Sequence, residues 1–146
     1  MSFAALFAWI ATALLGLLLL IIWLMEYDHE FQSAAATRLP VPVISAHALL
    51  GVGGLMLWAV YILADAERLA WLVVGDLGAV ALLGVIMAIR WVGVYRHFTK
   101  PSYLPDKIIT VPPERHFPLP VVVAHGILAT TTIVLVLGTV LLPGQS

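Results

Sequence analysis

Between Phe3 and Met25 the chain carries no charged residue. Three further runs are like it: Val43 to Ala64, Leu69 to Ile89 with Asp76 as its one acid, and Leu119 to Leu142. Crossing about 30 Å of hydrocarbon takes roughly 20 apolar residues in a helix, so each run is a candidate span. Lipid offers no partner to a bare peptide group, and helices are the form such runs take. The composition agrees: of 146 residues 62% are hydrophobic and 10% charged, against about 45–50% and about 25% in an average soluble domain. The expected fold is an all-α membrane protein, a four-transmembrane-helix bundle forming one integral domain over residues 1–146 in a lipid bilayer. The first run has no basic leader and too long an apolar core for a cleaved signal peptide, so it is expected to remain as a helix.

The connections set the orientation. Asp65-Ala66-Glu67-Arg68 reads as a tight turn, with Asp65 capping the third helix and Glu67 near its positive end. The connections at 26–42 and 90–118 emerge on the opposite face. Pro101, Pro105, Pro112, Pro113 and Pro118 keep the second of them from being one helix. Arg38, Arg90, Arg96, Lys100, Lys107 and Arg115 lie on that face and only Arg68 on the other. The positive-inside rule then places the long loops in the cytoplasm and both termini outside, in a cell membrane.

Much chemistry is excluded. Without cysteine there is no disulfide, thiolate metal site, iron–sulfur cluster or covalently attached haem. A net charge of −1 gives nucleic acid no basic surface to bind. No nucleotide-binding glycine motif or catalytic triad is present. Metal or cofactor chemistry is left to five histidines, eight acids and the backbone.

Two of those histidines fall in an internal repeat. Pro40-Val41-Pro42-Val43-Ile44-Ser45-Ala46-His47 matches Pro118-Leu119-Pro120-Val121-Val122-Val123-Ala124-His125 as Pro-x-Pro-Val-(Ile/Val)-x-Ala-His. Upstream, Tyr27-Asp28-His29 pairs with Tyr95-Arg96-His97. The pattern predicts two helix hairpins inserted the same way up, related by a pseudo-two-fold axis along the membrane normal. Helices 1 and 3 are then diagonal to each other, as are 2 and 4. His47 and His125 lie about 7 Å inside their helix starts, at one depth and facing across the axis.

An ionisable residue within a span is a functional-site candidate. Diagonal axes of a bundle packed at about 8–10 Å lie about 11–14 Å apart, too far for two imidazoles to touch. Two imidazoles with an iron between them bridge that gap, and a porphyrin fills the space around it. Gly51 and Gly54 follow His47 at i+4 and i+7, with Ala129 and Thr132 at the same offsets from His125. Such small residues leave room for a plate, or allow close helix packing. Arg90 is expected near the depth of the histidines, where its cation would meet a haem propionate or an acidic substrate, or snorkel to the interface. Asp76 is read as structural, protonated or held by a hydroxyl such as that of Thr139.

Four helices, intramembrane histidines on helices 2 and 4, and no cysteine make the chain resemble the small membrane-bound b-type cytochromes, the cytochrome b561-like group. The resemblance covers the whole chain in architecture, with the paired histidines as its motif. It implies one non-covalent haem b with His47 and His125 as axial ligands and Arg90, Gly51 and Gly54 around it. Proteins of that kind that move electrons across the membrane usually hold two haems at two depths, and the outer half here has no histidine. The expectation is therefore electron transfer at the cytoplasmic side, to or from a quinone or a redox partner protein.

Two other readings stand beside it. His29, His47, His97 and His125, joined by Glu114 and His116, would form a site for a non-haem transition metal. Alternatively, the chain is a cofactor-free accessory subunit of a larger membrane complex, or a homo-oligomer.

Overall fold

A computed structural model describes residues 1–27, 37–64, 66–98 and 112–142. It contains four long helices: α1 (Ser2–Glu26), α2 (Val41–Ala64), α3 (Glu67–Phe98) and α4 (Leu119–Leu141). A single 3-10 turn, Pro113–His116, precedes α4. Each long helix is long and apolar enough to cross a membrane, and no strand occurs among the described residues. The fold is therefore an all-α, four-helix, multi-pass membrane architecture.

Three of the expected spans agree with the helices to within two residues at each end. The third is longer than its apolar run, because α3 continues to Phe98. No proline interrupts residues 90–98, and Trp91 and Val94 pack inward along that extension. The start of α3 is as expected, with Glu67 in its first turn; Asp65 lies outside the described residues. Both prolines at the starts of the even helices act alike. The carbonyl of Pro40 accepts the amides of Val43 and Ile44, and that of Pro118 those of Val121 and Val122.

α1 packs most closely along α4 and α2 along α3, while α1 against α2 and α3 against α4 are looser. Neighbours in this order leave α1 and α3 on one diagonal and α2 and α4 on the other. Large apolar side chains such as Phe7, Leu14, Met56, Leu82 and Ile127 point outward, as a lipid-facing surface requires. Hydroxyls within the spans turn back on their own helices: Thr12, Thr130, Thr131, Thr132 and Thr139 each donate to the carbonyl four residues earlier. That bond satisfies a hydroxyl where no water is available.

Two apolar clusters fill the interior. One joins Ala5, Trp9, Trp58, Val73, Leu77 and Val136 towards the termini. The other joins Trp23, Leu39 and Ile44 towards the long connections, with Met87 and Phe117 against it. Four indoles tie elements together by N–H donation: Trp9 to the Gly51 carbonyl, Trp58 to Ser2, Trp91 to Glu114 and Trp23 to the Thr37 hydroxyl.

At the loop face the two connections are locked to each other. Glu114 is fully buried. Its carboxylate accepts the Thr37 hydroxyl at 3.0 Å and the Arg38 amide. Arg90 donates to the Arg38 carbonyl at 2.9 Å, and Arg115 lies 5.8 Å from the Tyr95 ring centroid.

Candidate functional site

Between the two apolar clusters lie His47 and His125. The order along each helix places them there: Ile44 and Trp58 bracket His47 on α2, and Phe117 and Val136 bracket His125. Their ring centroids are 6.3 Å apart with the planes at 65°. Each ring is only partly exposed. The two rings lie edge to face at a ring-contact distance, closer than the gap expected between diagonal helices.

Each imidazole is anchored within its own tightly packed helix pair. His47 Nδ1 lies 3.0 Å from the Val80 carbonyl on α3, and His125 Nδ1 lies 3.0 Å from the Thr12 carbonyl on α1. A carbonyl oxygen can only accept, so each Nδ1 carries the proton and donates it. In the neutral ring each Nε2 then keeps its lone pair, the tautomer in which a histidine ligates a metal. Two such nitrogens cannot hydrogen-bond to each other, since neither has a proton to give.

The approach of the rings depends on two glycines. Val80 O and Thr12 O are helix carbonyls, already accepting from the amides one turn on, at Gly84 and Gly16. A Cβ at Gly16 would lie 3.0 Å from His125 Cε1, and one at Gly84 would lie 3.2 Å from His47 Cε1. Glycine at those positions is what lets an imidazole reach over the helix to the carbonyl beneath. Sequence reasoning missed these residues, though a signal exists: Ala13-Leu14-Leu15-Gly16 and Ala81-Leu82-Leu83-Gly84 are identical. In step with them come Trp23 and Trp91, then Tyr27 and Tyr95. Those aromatics also pair alike, Trp23 on Tyr27 at 4.4 Å and Trp91 on Tyr95 at 5.2 Å between centroids.

Other expected site residues are placed differently. Gly54 does not open towards the histidines: a Cβ there would run into the Asp76 carboxylate and, at 2.8 Å, the Trp9 ring. Gly51 has open space where a Cβ would be, while its carbonyl accepts the Trp9 indole at 3.1 Å. Arg90 is not at the level of the pair. Val80 holds that level on α3, and Arg90 lies roughly 15 Å along the helix from it, bonded to Arg38. Thr139 does not hold Asp76, because its hydroxyl donates to the Leu135 carbonyl. Asp76 Oδ2 is buried with no hydrogen-bond partner.

Among the described residues no three His, Asp or Glu side chains come together as a metal site. Glu114 is committed to Thr37 and Arg38, and His116 faces Glu26 at 3.5 Å. His29 and the side chain of His97 lie outside the described residues. No protein-family model, no curated protein and no solved structure matches the chain.

Proposed function

We propose that the chain binds one haem b between His47 and His125 and serves in electron transfer on the loop side of a cell membrane. One observation carries the reading, the 6.3 Å separation of the two ring centroids. An imidazole nitrogen lies about 1.1 Å from its ring centroid and about 2.0–2.1 Å from a metal it ligates. Two imidazoles either side of one metal would have centroids about 6.3 Å apart, a spacing that edge-to-face ring packing also gives, whereas a direct nitrogen-to-nitrogen hydrogen bond of about 2.9 Å would bring them to about 5 Å. With each Nδ1 bonded to a carbonyl, both Nε2 lone pairs remain for an iron. Two protein ligands alone would leave a metal under-coordinated, and a porphyrin would supply the remaining donors.

Each part of the chain then has a task. Val80 and Thr12 fix the tautomer and ring orientation through their carbonyls. Gly16 and Gly84 give the rings room to do so. The apolar clusters on either side keep water from the site. When bound, the haem supplies a one-electron couple whose potential depends on axial ligands, burial and neighbouring charge. The looser packing of α1 on α2 and of α3 on α4 fits an interior opened between two tight helix pairs. The matched Thr12/Gly16 and Val80/Gly84 anchors fit two hairpins inserted the same way up.

The cytochrome b561-like resemblance belongs to the same reading. So do cytoplasmic long loops, termini outside and an exchange of electrons with a quinone or a redox protein. The test is haem loading of the full chain in detergent. The unsubstituted protein is expected to retain haem with the spectrum of a low-spin, six-coordinate iron. Purified His47→Ala and His125→Ala chains are expected to lose that spectrum. Its survival in both variants would rule the ligands out.

A further inference from the structure

One partly buried polar group within the spans has no part in the histidine pair. Asp76 is the sole acid within the apolar core of any span, and its Oδ2 is buried without a hydrogen-bond partner. The chain makes a place for it: the carboxylate occupies the space a Cβ on Gly54 would take, beside the Trp9 ring. The position corresponding to Gly54 at the same offset from His125 is Thr132, which is buried and donates to the Leu128 carbonyl. The niche thus exists on one side of the bundle only.

Its location links it to the pair. Asp76 precedes Val80 by one helical turn, about 6 Å, and the Val80 carbonyl holds His47. Gly54 lies two turns from His47 on the same face of α2. Trp9 on α1 and Gly54 on α2 flank the Asp76 carboxylate. No charged or titratable side chain among the described residues pairs with the free oxygen.

Resting on the haem reading above, we propose that Asp76 is a proton-binding site coupled to electron uptake at the His47–His125 pair. If haem is bound there, one electron taken from an external donor, dithionite in the test, would reduce ferric iron to ferrous, and one Asp76 carboxylate oxygen would gain one proton from solvent. The interior so takes up one electron and one proton without net charge. A unit charge on the order of 10 Å away, at an effective dielectric of about 20, changes the proton affinity of a carboxylate roughly tenfold. An unpaired charge within the bilayer is costly, which favours moving the proton with the electron.

The experiment uses the haem-loaded full chain, whose absorbance spectrum is recorded first. Failure to load haem overturns the functional reading and this one together, before any further measurement. With haem bound, reduced-minus-oxidised infrared spectra are expected to show a protonated-carboxyl band on reduction. That band should shift down in D2O and be missing in Asp76→Asn. The midpoint potential of the unsubstituted chain should fall with rising pH, by up to about 59 mV per tenfold fall in proton activity, and Asp76→Asn should flatten the slope. Absence of the carboxyl band from the haem-loaded, unsubstituted chain overturns the proposal whatever the variant does. So does a slope that Asp76→Asn leaves intact.

Discussion

At the scale of single residues, the site depends as much on what is missing as on what is present. Each histidine reaches a helix carbonyl only because the residue one turn on has no side chain. Gly16→Ala would place a methyl 3.0 Å from the His125 ring, and Gly84→Ala would place one 3.2 Å from the His47 ring. Both substitutions should displace an imidazole and weaken haem retention. The tighter contact at Gly16 makes it the more damaging of the two, which parallel haem titrations of the two variants would check. Gly54→Ala acts elsewhere, forcing a methyl against Trp9 and the Asp76 carboxylate. It should lower thermal stability in detergent by about 1–3 kcal/mol, the usual cost of overpacking, while the His47–His125 geometry keeps its haem spectrum.

At the scale of elements, the loop face is held by a buried acid. Glu114 draws the segment before α2 onto the turn before α4, and Trp91 of α3 donates to its carbonyl. Glu114→Ala leaves the Arg38 amide and the Thr37 hydroxyl without their acceptor. The expected loss is about 2–4 kcal/mol, the range for charge-assisted bonds together with newly unsatisfied groups. Thermal unfolding of the purified protein would measure it, and a loss below about 0.5 kcal/mol would show that the clamp carries nothing.

Element by element, the helices were legible because long uncharged runs permit little else. The histidine pair was legible because Pro-x-Pro and His at one spacing stand out against cheap valines and alanines. Its glycines were hidden in Ala-Leu-Leu-Gly, a string that passes for ordinary lipid-facing helix until an imidazole is seen lying over it. Arg90 was misplaced because α3 runs past its apolar segment, so counting along the sequence says nothing of its register against α2. Gly54 carried two readings, room for a plate or close packing. Its face of α2 meets both the interior and α1, and only the position of Trp9 decides which of them uses the space.

At the scale of the whole molecule, two tight helix pairs, α1 with α4 and α2 with α3, meet across the histidines. Each pair contributes one anchored ring, so neither pair alone completes the site. The proposed orientation can be read directly because the chain has no cysteine of its own. In intact cells, Arg68→Cys should react with a membrane-impermeant maleimide, while His116→Cys should react only after lysis. The reverse pattern would invert the topology without touching the site.

The central claim, one haem held by two histidines from diagonal helices, is tested most directly by the reduced-minus-oxidised absorbance spectrum of the purified full-length protein with its haem content. One haem per chain is expected, with a sharp reduced Soret band and resolved α and β bands. A colourless protein, or a spectrum of five-coordinate high-spin haem, would contradict it.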